Sequence, residues 1–107
     1  MVFNKEKKRL ENLLIQITAI QVYNDANFEI LNTAYKEYAA IIRYLYRKRA
    51  NIFGNLFNYE LLEIKKNKKI VKESLPERSR EKNMLMYKES IIMAVERTVD
   101  YIDDYIL

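Results

Sequence analysis

The sequence predicts an all-α fold, a small up-and-down bundle of four or three helices with a long C-terminal helix. The chain has 107 residues, the size of a single domain, and we assign 1–107 to one helical-bundle domain. Half of its residues are hydrophobic, which is enough for a core without disulfides. It contains one Gly and one Pro, whereas folds of many short strands need such residues at their turns. Long helices with few connections are therefore expected.

The first predicted helix begins after Asn4, a residue type that commonly caps helices. Apolar residues then recur at the spacing of one helix face, at Phe3, Leu10, Leu13, Leu14, Ile17 and Ile20. A second apolar stripe, on another side of the helix, consists of Ile15, Ala19 and Val22. We therefore expect this helix to contact more than one neighbour.

The segment from Asn24 to Asn27 is rich in turn-forming residues and predicts the connection to helix 2. Helix 2 is expected to start at Asn27 or Phe28 and to run to about Phe53. Its predicted core face consists of Leu31, Ala34, Tyr35, Tyr38, Ile41, Ile42, Leu45 and Ile52. Gly54 then predicts a left-handed C-cap that closes the helix, and a kink within one long helix is the alternative.

Helix 3 is expected to run from Leu56 or Tyr59 to Glu73, and it is the weakest of the four because Lys68 interrupts its apolar row. Its inward-facing residues are predicted to be Phe57, Leu61, Ile64 and Val71. The segment Ser74–Glu77 has the spacing of a capping box, with a proline in the first helical turn. This segment therefore predicts the start of helix 4.

Helix 4 is expected to run from Leu75 to Tyr105 and to have an unusually broad apolar surface. One face is formed by Met84, Tyr87, Ile91, Ala94, Val95, Tyr101, Ile102 and Tyr105. A second row, spaced by seven residues, is formed by Leu85, Ile92, Val99 and Ile106. With the outer stripe of helix 1, this is more apolar surface than one small bundle needs. The candidate self-association surface consists of Ile15, Val22, Leu85, Ile92, Val99 and Ile106.

The composition excludes the commonest classes of enzyme and metal site. There is no His and no Cys, so the most frequent general base and the thiol nucleophile are absent. No glycine-rich phosphate-binding loop is present. The acidic residues near the end of helix 4 are expected to form a solvated surface; they are Glu96, Asp100, Asp103 and Asp104. We therefore expect no catalytic residues, no cofactor, no metal ion and no small-molecule substrate.

The location is predicted from the apolar runs and from the missing cysteines. No apolar run reaches the roughly 18 residues that span a bilayer, so no membrane partner is expected. Small secreted domains usually carry Cys, and we therefore expect an intracellular, cytoplasmic protein. Lys, Ile, Asn and Tyr, which have A/T-rich codons, are abundant. This bias favours a viral, phage or plasmid origin, with the host cytoplasm as the location in the viral case.

Basic residues cluster in two predicted helices, and the net charge of +4 permits contact with nucleic acid. Arginines and lysines alternate with Tyr44 and Tyr46 at the end of helix 2, and lysines crowd helix 3. Such side chains can neutralise phosphates, while tyrosine rings can stack on unpaired bases. The candidate nucleic-acid contacts are Arg43, Arg47, Lys48, Arg49, Lys65, Lys66, Lys69 and Lys72. An ordinary solvated helix surface would have the same composition.

These observations favour a non-catalytic helical interaction protein that binds another protein and self-associates as a homodimer. The expected mechanism is burial of the outer apolar stripes of helices 1 and 4 in a symmetric interface. Such a protein would fit a viral, phage or plasmid accessory function. The alternative is a nucleic-acid-binding module that uses the basic surface of helices 2 and 3.

Overall fold

The chain folds into four long helices and one short helical turn, as described by a computed structural model for residues 3–53, 57–73 and 77–105. The elements are α1 (Asn4–Thr18), α2 (Asp25–Lys48), α3 (Ala50–Phe53), α4 (Asn58–Lys72) and α5 (Glu77–Tyr105). The predicted helices 3 and 4 correspond to α4 and α5. No strand occurs within the described ranges. The predicted all-α bundle is confirmed.

Helix α5 is the central element of the bundle, because it packs against α1, α2 and α4. Its 29 residues span about 44 Å at the usual helical rise. This length is close to the 46 Å longest dimension of the molecule. Helix α2 runs parallel to α5, because Asn32 contacts Tyr87 and Tyr38 contacts Thr98 in the same order along both helices.

The start of α1 differs from the prediction that Asn4 is the N-cap. Phe3 occupies the cap position with a left-handed backbone, at φ 71°, and no side chain caps the helix. The Phe3 ring is buried and packs edge-on against Phe53, with 5.7 Å between ring centroids. Burial of an aromatic ring, worth about 1.5–3 kcal/mol, outweighs the roughly 1–2 kcal/mol cost of the left-handed backbone.

Both ends of predicted helix 2 differ from α2. The helix starts at Asp25 because the side chain of Asn24 accepts a hydrogen bond from the Asn27 N–H, at 2.8 Å. It ends at Lys48, since Arg49 leaves helical geometry, and the separate turn α3 follows. This break places Phe53 in the core. Gly54, and residues 74–76 of the predicted capping box, lie outside the described residues.

Two buried tyrosines connect α2 to α5 by hydrogen bonds. The Tyr38 hydroxyl is 2.9 Å from the Thr98 hydroxyl, and the Tyr87 hydroxyl donates to Oδ1 of Asn32 at 2.6 Å. Both tyrosine side chains are fully buried. Burial raises the pKa of Tyr38 and of Tyr87 well above the ordinary tyrosine value, because the interior disfavours a phenolate.

We expect the fold to lose stability at alkaline pH because of these tyrosines. Above the ordinary tyrosine pKa of about 10, the unfolded chain releases both protons while the folded chain retains them. The free energy of unfolding should then fall with rising pH, by up to about 1.4 kcal/mol per pH unit for each tyrosine. Urea unfolding at a series of pH values measures this slope.

The matched variants for this slope are Tyr87→Phe and Tyr59→Phe. Tyr87→Phe should flatten the alkaline slope, whereas Tyr59→Phe should not, because the Tyr59 side chain is exposed. An identical slope in wild type and Tyr87→Phe would contradict the assignment.

Candidate nucleic-acid interface: a basic groove between α2 and α4

Two hollows lie along the α2–α4 pair, one lined by the first turn of α4 and the other by the rest of that helix. The first has a volume of about 730 Å³ and is lined by Ala40, Ile42, Arg43, Tyr46, Arg47, Asn58 and Leu61. The second has a volume of about 600 Å³ and is lined by Tyr35, Leu62, Lys65, Lys66, Lys68, Lys69 and Lys72. We call the two hollows together the basic groove.

Helix α2 contributes a stripe of exposed cations to the basic groove. Lys36, Arg43 and Arg47 are separated by seven and four residues, so they lie on one face of the helix. Ala40 lies between them on the same face, and its small side chain leaves the hollow open. Arg43 and Arg47 therefore line the first hollow, and Lys36 lies close enough to Lys68 of the second hollow to lower its pKa.

The lysines and the glutamates of α4 lie on different sides of the helix. The lysines at positions 65, 68, 69 and 72 cover less than a third of the helix circumference and border the groove. Glu60 and Glu63 lie on another side and border α5 instead. The basic groove therefore receives the cations of α4 without its neighbouring carboxylates.

The pKa of Lys68 is affected by the positive charges around it. Its Nζ lies 5.8 Å from the centroid of the Tyr35 ring. Desolvation lowers the pKa of Lys68, and the charges of Lys72 and Lys36 lower this pKa further, while Glu29 opposes them. Within the part of the chain that the structure describes, no ion pair includes a cation of the basic groove.

The structure brings most of the predicted nucleic-acid contacts together. Six of the eight line the basic groove: Arg43, Arg47, Lys65, Lys66, Lys69 and Lys72. Lys48 and Arg49 do not line it; the Lys48 Nζ lies 5.6 Å from the Tyr44 ring centroid, and Arg49 is exposed at the end of α2. The sequence analysis missed Lys36, although its spacing of seven residues from Arg43 indicates a shared face. It counted Lys68 among the lysines that crowd predicted helix 3 but did not name it as a candidate contact.

The candidate self-association surface is not a single exposed face. Leu85 is 39% exposed, Ile92 is half-buried against the core, and Val99 is only 9% exposed. A straight helix rotates such a row by about 20° per seven residues, which carries it progressively into the core. Val99 is therefore a core residue and not a surface residue. Ile15 and Val22 are exposed, and Ile106 lies outside the described residues.

Comparisons with models of known protein families, with characterised proteins and with solved structures find no match to this chain. Within residues 3–53, 57–73 and 77–105, no helix has the length and apolar character needed to cross a membrane. The same residues contain no cluster of three carboxylates, imidazoles or thiols arranged to hold a metal ion. The candidate site is therefore assigned from its geometry and charge.

We expect the pKa of Lys68 to respond to its lysine neighbours. Replacing Lys72 or Lys36 by Gln removes a nearby positive charge and should raise the Lys68 pKa toward the ordinary lysine value. Lys82→Gln on the exposed side of α5 is the matched control and should leave this pKa unchanged. Lysine-detected NMR titration measures the shift. An unchanged Lys68 pKa in Lys72→Gln would show that the positive charges are not close enough to interact.

Proposed function

We propose that this protein is a non-catalytic module that binds single-stranded nucleic acid along the basic groove. The observation that supports the proposal is the convergence of cations from two helices on one groove, which the carboxylates of α4 do not reach. Charged residues that only keep a helix surface hydrated do not need to face the same groove. Hydration alone therefore does not explain why cations of two helices line one groove. The proposal therefore favours the nucleic-acid alternative of the sequence analysis over self-association.

Phosphate binding by this groove would gain free energy mainly from counterion release. Each phosphate that Lys or Arg neutralises releases condensed counterions, which makes binding weaken as salt increases. Helix α4 is about 22 Å long, so the groove can follow several consecutive phosphates of an extended strand. The unpaired cations are available for this purpose, since phosphate contacts would not have to displace carboxylates from them.

The aromatic side chains of the groove favour single strands over duplexes. Tyr46 is exposed and lines the first hollow between Arg43 and Arg47. A ring in this position can stack on a base only if that base is unpaired and turned outward. Every base has an aromatic face, so this contact is tolerant of sequence. We therefore propose binding with little sequence preference.

We expect a fluorescein-labelled uridine oligomer to bind with a steep negative salt dependence, measured by fluorescence anisotropy. The triple substitution Lys65→Gln, Lys69→Gln, Lys72→Gln should reduce the slope of log K against log salt by about 2, since each phosphate contact to a single strand contributes about 0.7. A duplex of the same length should bind more weakly.

The matched control is the triple substitution Lys5→Gln, Lys8→Gln, Arg9→Gln. It removes the same charge from exposed positions of α1, outside the groove. This control should keep most of the binding and most of the salt slope. Equal losses in the two triple variants, or no binding at low salt, would refute the proposed site.

Self-association is a second candidate function, and a different surface favours it. Ala19, Val22 and Ile30 line one shallow hollow between α1 and α2, and Ile15 lies one helical turn before Ala19. The side chains of Ile15, Val22 and Ile30 are exposed. An exposed apolar group of this kind is typical of a protein interface. The basic groove would remain free in such a dimer.

We expect light scattering at micromolar concentration to report about twice the chain mass of 12.9 kDa if this second function holds. Val22→Glu should then restore the single-chain mass, because it places a charge in the interface. Leu62→Glu, an equally exposed apolar position outside this surface, should not. A single-chain mass for the wild type excludes the homodimer.

A cytoplasmic location and a viral or plasmid origin stay predictions from the composition, and neither candidate function depends on them.

A further inference from the structure

Lys68 lies among other cations in the second hollow of the basic groove. On α4, Lys65 precedes it by one helical turn and Lys72 follows it by one turn, and all three line this hollow of about 600 Å³. On the neighbouring helix α2, Lys36 is close enough to lower the pKa of Lys68. Positive charges from two helices therefore lie around the Lys68 amine.

The Lys68 side chain is less exposed than the other four lysines that line this hollow. It is half-buried, whereas those four are exposed. Its Nζ lies 5.8 Å from the centroid of the Tyr35 ring, so the amine is held between α4 and α2. This position places the amine beside any anion that the surrounding lysines bind.

The surroundings of Lys68 also favour the neutral form of its amine. Desolvation is the largest cause of its lowered pKa, the charges of Lys72 and Lys36 act in the same direction, and Glu29 opposes them. A larger fraction of this amine is therefore neutral than of a fully solvated lysine. Only the neutral amine has a free electron pair, and lysines next to other cations are activated as nucleophiles in this way.

The lysines around this amine favour a small phosphate-bearing anion in the hollow. No ion pair within the described ranges includes Lys65, Lys68 or Lys72, so these cations are available to a phosphate. In an acyl phosphate, a single oxygen atom joins the phosphorus to the carbonyl carbon. A phosphate held by Lys65 and Lys72 would therefore bring this carbonyl next to the Lys68 amine, which favours a reaction between them.

We propose that Lys68 is a site of acylation by an acyl phosphate that binds in the basic groove. The nitrogen of the neutral amine attacks the carbonyl carbon, and a C–N bond forms while the C–O bond to the phosphate breaks. Inorganic phosphate leaves with the electron pair of that bond, and the nitrogen releases a proton to water. The product is a neutral amide, so the groove loses one positive charge.

A regulatory effect of this acylation rests on the proposed function of the groove. Each phosphate contact to a single strand contributes about 0.7 to the salt slope, so acylation of Lys68 should lower the slope for the uridine oligomer by about 0.7. The acylation itself needs only the amine and the lysines around it. The two results are therefore measured separately.

Incubation of the full chain with acetyl phosphate, followed by tandem mass spectrometry of its peptides, tests the site. The comparison lysine is Lys82, which is exposed on α5 outside the groove. Lys68 should be acetylated at least about tenfold faster than Lys82, because the groove concentrates the anion beside a partly neutral amine. Equal rates at Lys68 and Lys82 would overturn the proposal.

An uncharged acetyl donor separates binding of the phosphate from the reactivity of the amine. 4-Nitrophenyl acetate transfers the same acetyl group but carries no phosphate. Its preference for Lys68 over Lys82 should be at least about threefold smaller than that of acetyl phosphate, and salt should reduce mainly the acetyl phosphate preference. Equal preferences of the two donors would show that the groove does not hold the phosphate, and this would overturn the proposal.

Lys72→Gln removes one of the cations next to Lys68 and should slow its acetylation by acetyl phosphate at least about threefold. Lys8→Gln is the matched control, because it removes the same charge from an exposed position of α1 and should leave the rate at Lys68 unchanged. Both replaced side chains are exposed, so both variants should fold. A wild-type rate in Lys72→Gln would contradict the proposed site.

Binding of the uridine oligomer to the acetylated chain tests the regulatory effect. A salt slope lower by about 0.7 would support it, and an unchanged slope after complete acetylation of Lys68 would refute it. If the unmodified chain does not bind the oligomer, the proposed function fails, while selective acetylation of Lys68 by acetyl phosphate would still establish the modification site.

Discussion

The packing of α2 on α5, set by two buried tyrosine hydroxyls, determines where the other surfaces of the molecule lie. Tyr38 bonds to Thr98 and Tyr87 bonds to Asn32, and both pairs are inaccessible to water. A buried hydroxyl without its partner costs about 1–3 kcal/mol, so these pairs disfavour a slip of one helix along the other. Because α4 packs against both α2 and α5, this register also positions the basic groove between α2 and α4.

The proposed function rests on the charge distribution on α4. This helix directs lysines toward α2 and carboxylates toward α5, while Ile64 and Val71 are buried between the two sides. A short helix that packs against two neighbours has two outer flanks, and each flank here has its own sign of charge. The proposed binding of nucleic acid follows from this separation.

Most of the fold could be predicted from the sequence, since the apolar spacing within a helix is a local property. The core positions Leu31, Tyr38 and Ile91 were predicted from that spacing, and all three are buried. Errors occurred where a long-range contact outweighed a local preference. Phe3 replaced Asn4 at the start of α1 because its ring packs on Phe53, fifty residues away in the chain.

The candidate site was predictable only in part. Six cations of the basic groove were named from clustering along the chain. Lys36 was missed, and its effect on the pKa of Lys68 depends on how α2 packs beside α4. The apolar row of α5 that is spaced by seven residues was predicted to be a self-association surface, and this was wrong for Val99. A straight helix has 3.6 residues per turn, so residues spaced by seven rotate around it and Val99 lies in the core.

The helical class, the approximate helix positions and most residues of the core could be deduced from the sequence alone. This was possible because the scarcity of Gly and Pro and the helical spacing of apolar residues act within each segment. The charges that share a groove and the apolar residues that stay exposed could be identified only from the packing of the helices. These features depend on the register and rotation of helices that are distant in the chain, and both are set by side-chain packing between the helices.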